Sequence, residues 1–253
     1  MPVVAMAGIN LTDRAIGYKV DQPMPAPLPT DSHPPVTAAG TERRKRRRAH
    51  ETTPAREEEL LHVAAGIFRA KGYDPTSLTD IAQAFGITKA SLYHYIDSKE
   101  DLLYRICRAA HDDTLPVIEE VEASDAPPRA RLEHFLRATV ASNARNVVNI
   151  AVYYHDLNRL TGARRTSILR ERRRYQDLLV RLVDEGKQAG EIDADIPTTV
   201  ICANLLAQVI WVYTWYREDQ GLPPDELGAA VARLALDGVS RPRQRRRASG
   251  SAK

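Results

Sequence analysis

Residues 77–103, SLTDIAQAFGITKASLYHYIDSKEDLL, decide the reading of this chain. Ser77-Leu-Thr-Asp80 has the form of a capping box, in which the serine oxygen accepts from an exposed amide and the carboxylate reaches back. Gly86 follows Phe85 and stops the helix after only two turns. Thr88 then caps a second short helix, KASLYHY, and Ser98-Lys-Glu-Asp101 opens a third. Two short helices joined by a tight glycine turn, Asp80 to Tyr95, make a helix-turn-helix. Ile81, Ala82 and Phe85 supply its packing face, and Leu92 and Ile96 anchor the second helix from beneath. Lys89, Ala90, Ser91, Tyr93, His94 and Tyr95 are left facing outward. A helix that reads DNA needs small and polar residues near its start, with donors around it for phosphates. A hairpin of helices that only packs is the other reading of the geometry alone.

Around this unit the pattern is helical. Leu61, Ala64, Ala65 and Phe68 recur at helical spacing behind Pro54, which suits a first-turn position, and the helix should end near Gly72. The helix opened by Ser98 should run on until Pro116 kinks or breaks it. Further helices are predicted at about 127–144, 146–160, 163–189, 197–219 and 224–239, punctuated by Pro127-Pro128, Gly162, Gly190 to Pro197 and Gly221 to Pro224. No run alternates with period two, and there is no internal repeat. The expected fold is all-α: a three-helix N-terminal helix-turn-helix domain, then a second helical domain, about nine helices in total.

The ends differ from the middle. Residues 1–50 hold 7 of the 16 prolines and few periodic apolar residues, so they cannot bury enough surface to offset chain entropy. Residues 1–50 are therefore predicted to be a disordered, Pro-rich and basic extension, and 241–253 a disordered basic tail. Residues 51–98 hold the predicted helix-turn-helix domain and 99–240 the second helical domain. Charge follows the same division. Residues 54–240 carry 22 Lys/Arg against 28 Asp/Glu, whereas 241–253 carry 6 against none and 1–53 carry 8 against 5. Basic ends on a mildly acidic core suit a polyanion partner, or simply keep the chain soluble. The basic run Arg43 to Arg48 can enter a minor groove beside a helix-turn-helix, or attract phosphate without sequence preference.

No stretch approaches the ~18–20 apolar residues of a membrane span, and no secretory leader is read at the N-terminus. Cys107 and Cys202 give neither a disulfide framework nor metal spacing. A reducing cytoplasm is the expected compartment, with no membrane partner, no metal and no cofactor. Enzymatic chemistry is poorly supported. His111-Asp112-Asp113 and His155-Asp156 invite comparison with all-α metal-dependent hydrolases, but a metal site needs three or more convergent ligands. No G-x-S-x-G, P-loop or H-E-x-x-H occurs.

Residues 77–103 resemble the DNA-binding signature of the TetR family of bacterial repressors. The likeness rests on Ile81-Ala82, Gly86, Thr88-Lys89, Leu92-Tyr93-His94-Tyr95 and Ser98-Lys99-Glu100, with Ile96 where the family usually has Phe. It implies that Thr88 and Lys89 meet a phosphate or a base edge, and that Tyr93 donates to a phosphate. It implies that His94 and Tyr95 touch DNA backbone or bases, and that Lys99 and its helix N-terminus grip one phosphate together; Ser91, facing outward on the same helix, joins them as a DNA-binding candidate. Ser77 either meets a phosphate or serves only as a cap. The resemblance also implies that 51–98 bind DNA, that 99–240 form the ligand-binding (effector) and dimerisation domain, and that a homodimer sits on a palindromic double-stranded DNA operator, its last two helices pairing through stripes at Ile201, Leu205, Val209 and Val212 and at Leu227, Val231 and Leu234.

A small-molecule effector belongs to that picture. Aromatic and amide residues gather at Asn143, Asn149, Tyr153, Tyr154, Trp211, Tyr213 and Trp215, a set that suits a mostly apolar pocket with a few directional groups. Asn149, Tyr153, Tyr154, Trp211 and Trp215 are the effector candidates; ordinary core packing is the alternative for each. The segments VYYHDLNRL and WVYTWYR are similar to TetR-type repressors of fatty-acid and steroid catabolism, which implies an acyl-CoA effector. Arg164, Arg165, Arg170, Arg172, Arg173 and Arg174 then either meet a CoA phosphate or form a solvated face. An efflux regulator answering to an uncharged lipophile is the competing reading.

Overall fold

The computed structural model describes residues 54–217, 219 and 221–239. The proline-rich extension, the Arg43–Arg48 run and the basic tail lie outside the described residues. Among the described residues there are ten α-helices and no strand: α1 (Pro54–Lys71), α2 (Leu78–Phe85), α3 (Lys89–Leu92), α4 (Lys99–Ala109), α5 (Thr114–Ala123), α6 (Pro128–Arg145), α7 (Val147–Asp156), α8 (Gly162–Gln188), α9 (Thr198–Trp215) and α10 (Pro224–Val239). A single 3₁₀ turn, Leu157–Arg159, extends α7.

The expected helix across Asp101–Leu115 is interrupted earlier than Pro116. It ends at Ala109, and α5 starts at Thr114. Pro116 is the third residue of α5, where its missing N–H would have had no intrahelical partner anyway. The break is the 110–113 turn, in which the carbonyl of His111 accepts from Thr114 N at 2.9 Å.

Two apolar cores form. The first gathers Leu60, Ala64 and Phe68 of α1, Ile81 and Phe85 of α2, and Leu102, Leu103 and Ile106 of α4. Ile150 and Tyr153 of α7, Leu157 and Leu160 beyond it, Ile168 of α8 and Tyr213 of α9 complete this same core. The second lies between α5, α6, α8, α9 and α10, around Phe135, Leu136, Leu179, Leu182, Leu205 and Leu236. Here α10 lies along α6 so closely that a Cβ on Gly228 would stand 2.4 Å from the carbonyl oxygen of Arg137. Only glycine permits that approach.

The stripe Ile201, Leu205, Val209 and Val212 is buried inside the chain's own second core. On α10 Leu227 is buried and Val231 partly so, but Leu234 is 69% exposed. The outward side of α9 carries Val200, Trp211 (38% exposed) and Trp215 (52%). This two-sidedness makes α9, with a mean hydropathy of 1.3 over 18 residues, long and apolar enough for a membrane span by composition alone. The expectation that no stretch comes near that limit is therefore corrected.

Candidate DNA interface and effector cavity

The reading head is built by its caps. Ser77 Oγ accepts from Asp80 N at 3.1 Å while Ser77 N donates to Asp80 Oδ2 at 2.9 Å. That bond to the backbone holds the Asp80 carboxyl below its ordinary range. Gly86 takes the left-handed conformation, φ 78°, and donates to the carbonyls of Ala82 and Gln83. Thr88 Oγ1 accepts from Ser91 N at 3.0 Å and lies 2.9 Å from Ser91 Oγ. Ser77 and Thr88 each use an oxygen lone pair in capping, which leaves the hydroxyl proton available to a phosphate.

The second helix of the motif is shorter than KASLYHY. α3 ends at Leu92, and 93–95 continue as a tighter turn, with His94 N donating to Ser91 O and Tyr95 N to Leu92 O. This tightening turns Tyr95 inward. It is 6% exposed and meets Phe85 edge-on, ring centroids 6.0 Å apart. Tyr95 is thus a core residue beside Leu92 and Ile96, and the expectation that it faces DNA is not met. Lys89, Tyr93 and His94 do face outward, Tyr93 at 51% exposure, with Ser91 partly covered. Lys99 is the first residue of α4, under a Ser98 cap that accepts from Asp101 N at 3.0 Å. Its Nζ stands 4.2 Å from the centre of the Tyr73 ring and donates to the Asp74 carbonyl at 3.2 Å. The exposed positions form one basic, hydroxyl-bearing surface and the buried ones form the floor beneath it.

Between the two cores lies a cavity of about 30 Å³, room for roughly two waters at ~10–15 Å³ each. Tyr153 and Tyr154 of α7 line it, as do Thr139 and Asn143 of α6. Arg172, Tyr175 and Gln176 come from α8, and Leu206, Val209 and Ile210 from α9. His111, in the turn after α4, closes it. Asn143 Nδ2 donates to the Val209 carbonyl at 3.0 Å, which ties α6 to α9 across one wall.

Of the aromatic and amide residues gathered from the sequence, Asn143, Tyr153 and Tyr154 line this cavity. Asn149, Trp211 and Trp215 do not line it. Trp211 and Trp215 lie on the opposite side of α9 from Leu206, Val209 and Ile210, because four-residue steps keep them on the outward stripe with Val200. Tyr213 reaches the cavity only through Tyr154, on which it stacks with centroids 5.8 Å apart. His111, Thr139, Tyr175 and Gln176 were missed; their signal is a polar residue recurring on otherwise buried helix faces.

The arginines also separate. Arg164 donates to Asp101, and Arg174 pairs with Glu119 and Glu122. Arg165, Arg170 and Arg173 are exposed. Arg172 alone of the six lines the cavity. Burial, and then the Arg172 charge, lower the His111 pKa to about 4, so its imidazole is neutral at neutral pH. Burial raises Tyr153 and Tyr175 well above the ordinary phenol value and Tyr154 to about 12. Among the described residues no group of three or more His, Cys, Asp or Glu side chains could hold a metal ion.

This arrangement, a capped helix-turn-helix on a two-core helical body with an internal cavity, is that of a one-component DNA-binding regulator. Two family models match it: "Bacterial regulatory proteins, tetR family" over residues 60–106 and "Tetracyclin repressor-like, C-terminal domain" over 125–239. The chain is 30% identical over 189 residues to the HTH-type transcriptional repressor KstR2 of Rhodococcus jostii, covering 74% of this chain and 92% of that one. The ketosteroid transcriptional regulator KstR2 of Mycobacterium tuberculosis superposes with a TM-score of 0.69 at 24% identity, over 77% of this chain and all of that one, a likeness of fold. A structure of AibR in complex with isovaleryl coenzyme A and operator DNA gives a TM-score of 0.59 at 28% identity, covering 71% and 97% of the two chains. The chain belongs to the TetR family. It is a TetR-type transcriptional repressor and not an enzyme.

Proposed function

We propose that the chain acts in the cytoplasm as a homodimeric repressor that holds a two-fold operator and lets go when a small molecule fills the cavity. Residues 51–98 serve as the DNA-reading domain and 99–240 as the effector and dimerisation domain. The observation that carries this reading is the division of residues 88–99. Thr88, Lys89, Ser91, Tyr93, His94 and Lys99 lie together at the surface, while Leu92, Tyr95 and Ile96 are buried. Ser77 stands at the N-terminus of α2, where a phosphate is favoured. The dimer face is the outward side of α9 and α10, where Val200, Trp211, Trp215 and Leu234 are too exposed for a lone subunit and too apolar to be left in water. On this reading α9 is a core-and-interface helix, and no membrane is involved.

The effector is an acyl-CoA thioester. Support comes from Arg172 at a cavity lined with Leu206, Val209 and Ile210, and from the isovaleryl-CoA complex of AibR. A cavity of about 30 Å³ is far too small for an acyl chain, so binding must spread its walls. His111 is the wall that matters most, because it sits in the turn leaving α4, whose first residue is Lys99. A ligand that binds the spread state better shifts the heads away from their DNA spacing. A regulator of an efflux system that answers to an uncharged lipophile is the second reading, favoured by the aliphatic α9 wall.

The test is gel shift and calorimetry on the full chain, with an operator selected from random duplexes. Acyl-CoAs, free CoA, free fatty acids and an uncharged lipophile are then added separately. Release by thioesters alone is the expected result. Release by the lipophile alone removes the thioester, and failure to select any duplex removes the operator reading altogether.

A further inference from the structure

Two cations from distant parts of the chain meet on one residue. Lys99 Nζ, on α4, donates to the Asp74 carbonyl at 3.2 Å, and Arg159 Nη2, beyond α7, pairs with the Asp74 carboxylate at 2.6 Å. Arg159 closes the 3₁₀ turn whose flanking residues, Leu157 and Leu160, are buried in the first core. Leu160 N donates to the Leu157 carbonyl at 3.0 Å, so the backbone that presents Arg159 is fixed. The side chain itself is 54% exposed. A guanidinium carries five donors in a planar fork, and a pair made through one nitrogen leaves the rest of the fork to solvent. The same pair holds a long side chain in one pose, which lowers the entropy lost when a further anion binds.

Three carboxylates act on the Tyr73 phenol at this corner, and each is already engaged. Asp74 holds Arg159. Glu100 accepts from the N–H and the hydroxyl of Thr161, at 2.7 and 2.9 Å. Asp156 is half-buried and accepts the Tyr73 backbone N–H. The exposed donors that remain belong to Lys99, seated 4.2 Å from the centre of the Tyr73 ring, and to Arg159. Ser77, the cap of α2, follows Asp74 in the same short loop. The two cations and that cap therefore border one strip beside the reading surface. Each strand of a duplex carries a phosphate about every 3.4 Å of axis, so a strand gripped at Lys99 offers another phosphate to a cation beside it.

We propose that the operator footprint extends beyond the helix-turn-helix domain to Arg159, which grips the backbone phosphate next to the one held by Lys99, with Asp74 as the brace between the two cations. The inference rests on the reading of residues 88–99 as the operator surface. A phosphate contact sets affinity and register and carries no base preference. It also joins the effector body to DNA directly, since Arg159 follows α7, whose Tyr153 and Tyr154 line the cavity.

The experiment measures affinity of the full chain for the selected operator by gel shift at three salt concentrations. The duplex is used unaltered and with single neutral methylphosphonates along each strand. Arg159→Gln is expected to bind about tenfold more weakly, with the slope of log K against log salt smaller by about one unit and base preference unchanged. Arg159→Lys, which keeps the charge, should recover most of the slope. The scan assigns to Lys99 the phosphate whose neutralisation no longer matters in Lys99→Ala; in Arg159→Gln the insensitive phosphate should be its neighbour. The loss should persist in an Asp74→Asn background, where a residue that only masked the Asp74 charge would be dispensable. An unchanged slope in Arg159→Gln makes the residue a structural tie and overturns the proposal. A loss that vanishes with Asp74→Asn, or a scan identical to that of the unaltered chain, overturns it too. If Lys99→Ala lowers the slope and Arg159→Gln does not, this inference falls and the operator reading stands. If no duplex is selected, both fall.

Discussion

Arg164 Nη2 on α8 donates to Asp101 Oδ1 on α4 at 3.0 Å, and the carboxylate is almost entirely buried. Arg105, one turn along α4, lies 2.9 Å from the other oxygen. The first turn of the helix that carries Lys99 is therefore pinned to the longest helix of the body. Replacing Asp101 by Asn removes the charge and leaves two guanidiniums facing each other. A partly buried pair of this kind is worth about 1–3 kcal/mol. The expected outcome is a loss of that size in chemical denaturation. Operator affinity should fall as well, since α4 is no longer held in place. Unchanged stability would mean that the two arginines find other carboxylates.

Tyr93→Phe should weaken operator binding by about 1–2 kcal/mol, the worth of a hydrogen bond to a charged acceptor, with the fold intact. Lys99→Ala should also weaken it, and should lower the salt slope of log K by about one unit, as one phosphate contact is lost. Tyr95→Phe should have no such effect on the slope, because Tyr95 packs on Phe85 within the floor. Gel shifts at three salt concentrations separate these outcomes.

Much of this head was legible in the sequence because caps are local. Ser77 with Asp80, Gly86 with Ala82, Thr88 with Ser91 and Ser98 with Asp101 all act within five residues. Tyr95 was misread because helical periodicity was extended past Leu92, where the chain tightens. The cavity was legible only in part because five segments distant in the chain build it. An aromatic count could not distinguish Tyr154 from Trp215, since both are large and near helix ends. What distinguishes them is which side of α9 faces α6, and Asn143 fixes that through its bond to the Val209 carbonyl, 66 residues away.

Gly228→Ala should destabilise the body by about 1–3 kcal/mol, since the added methyl meets backbone and not a movable side chain. Gly66→Ala, a helical glycine with nothing near its would-be Cβ, should instead be neutral or stabilising. Paired melting curves on the two variants test the close approach of α6 and α10.

Stability should show a concealed dependence on pH. Burial pushes Asp156 up to about 6 from an ordinary value of 3.8. The folded chain thus holds that proton more tightly than the unfolded one, and stability falls as pH rises from about 4 to 6. His111, lowered to about 4 from 6.5, works in reverse, with stability rising between those values. The two nearly cancel across this window. Asp156→Asn should uncover the rising limb and add about 1 kcal/mol at pH 7, discounted for partial exposure. Denaturation midpoints at pH 4.5, 6 and 7.5 read it directly.

Trp211→Glu and Leu234→Glu should each convert a dimer to a monomer with little loss of subunit stability, as both side chains stand outside the subunit's own cores. Sedimentation velocity reads the mass, and loss of operator binding should accompany it. A variant that stays dimeric moves the interface elsewhere.

The first core has a further consequence for how such a protein can be re-engineered. Ile150, Tyr153, Leu157 and Leu160 arrive from some forty to fifty residues beyond the end of α4, yet they join the core that α1 and α4 build with the helix-turn-helix. No single cut in the chain therefore frees a complete head. A chimera joined at residue 98 would place a foreign underside on α7, with the mismatch landing in buried contacts. To exchange operators in this scaffold, the outward residues of α3 must be rewritten one by one, because the module they sit on is shared property of two distant stretches of chain.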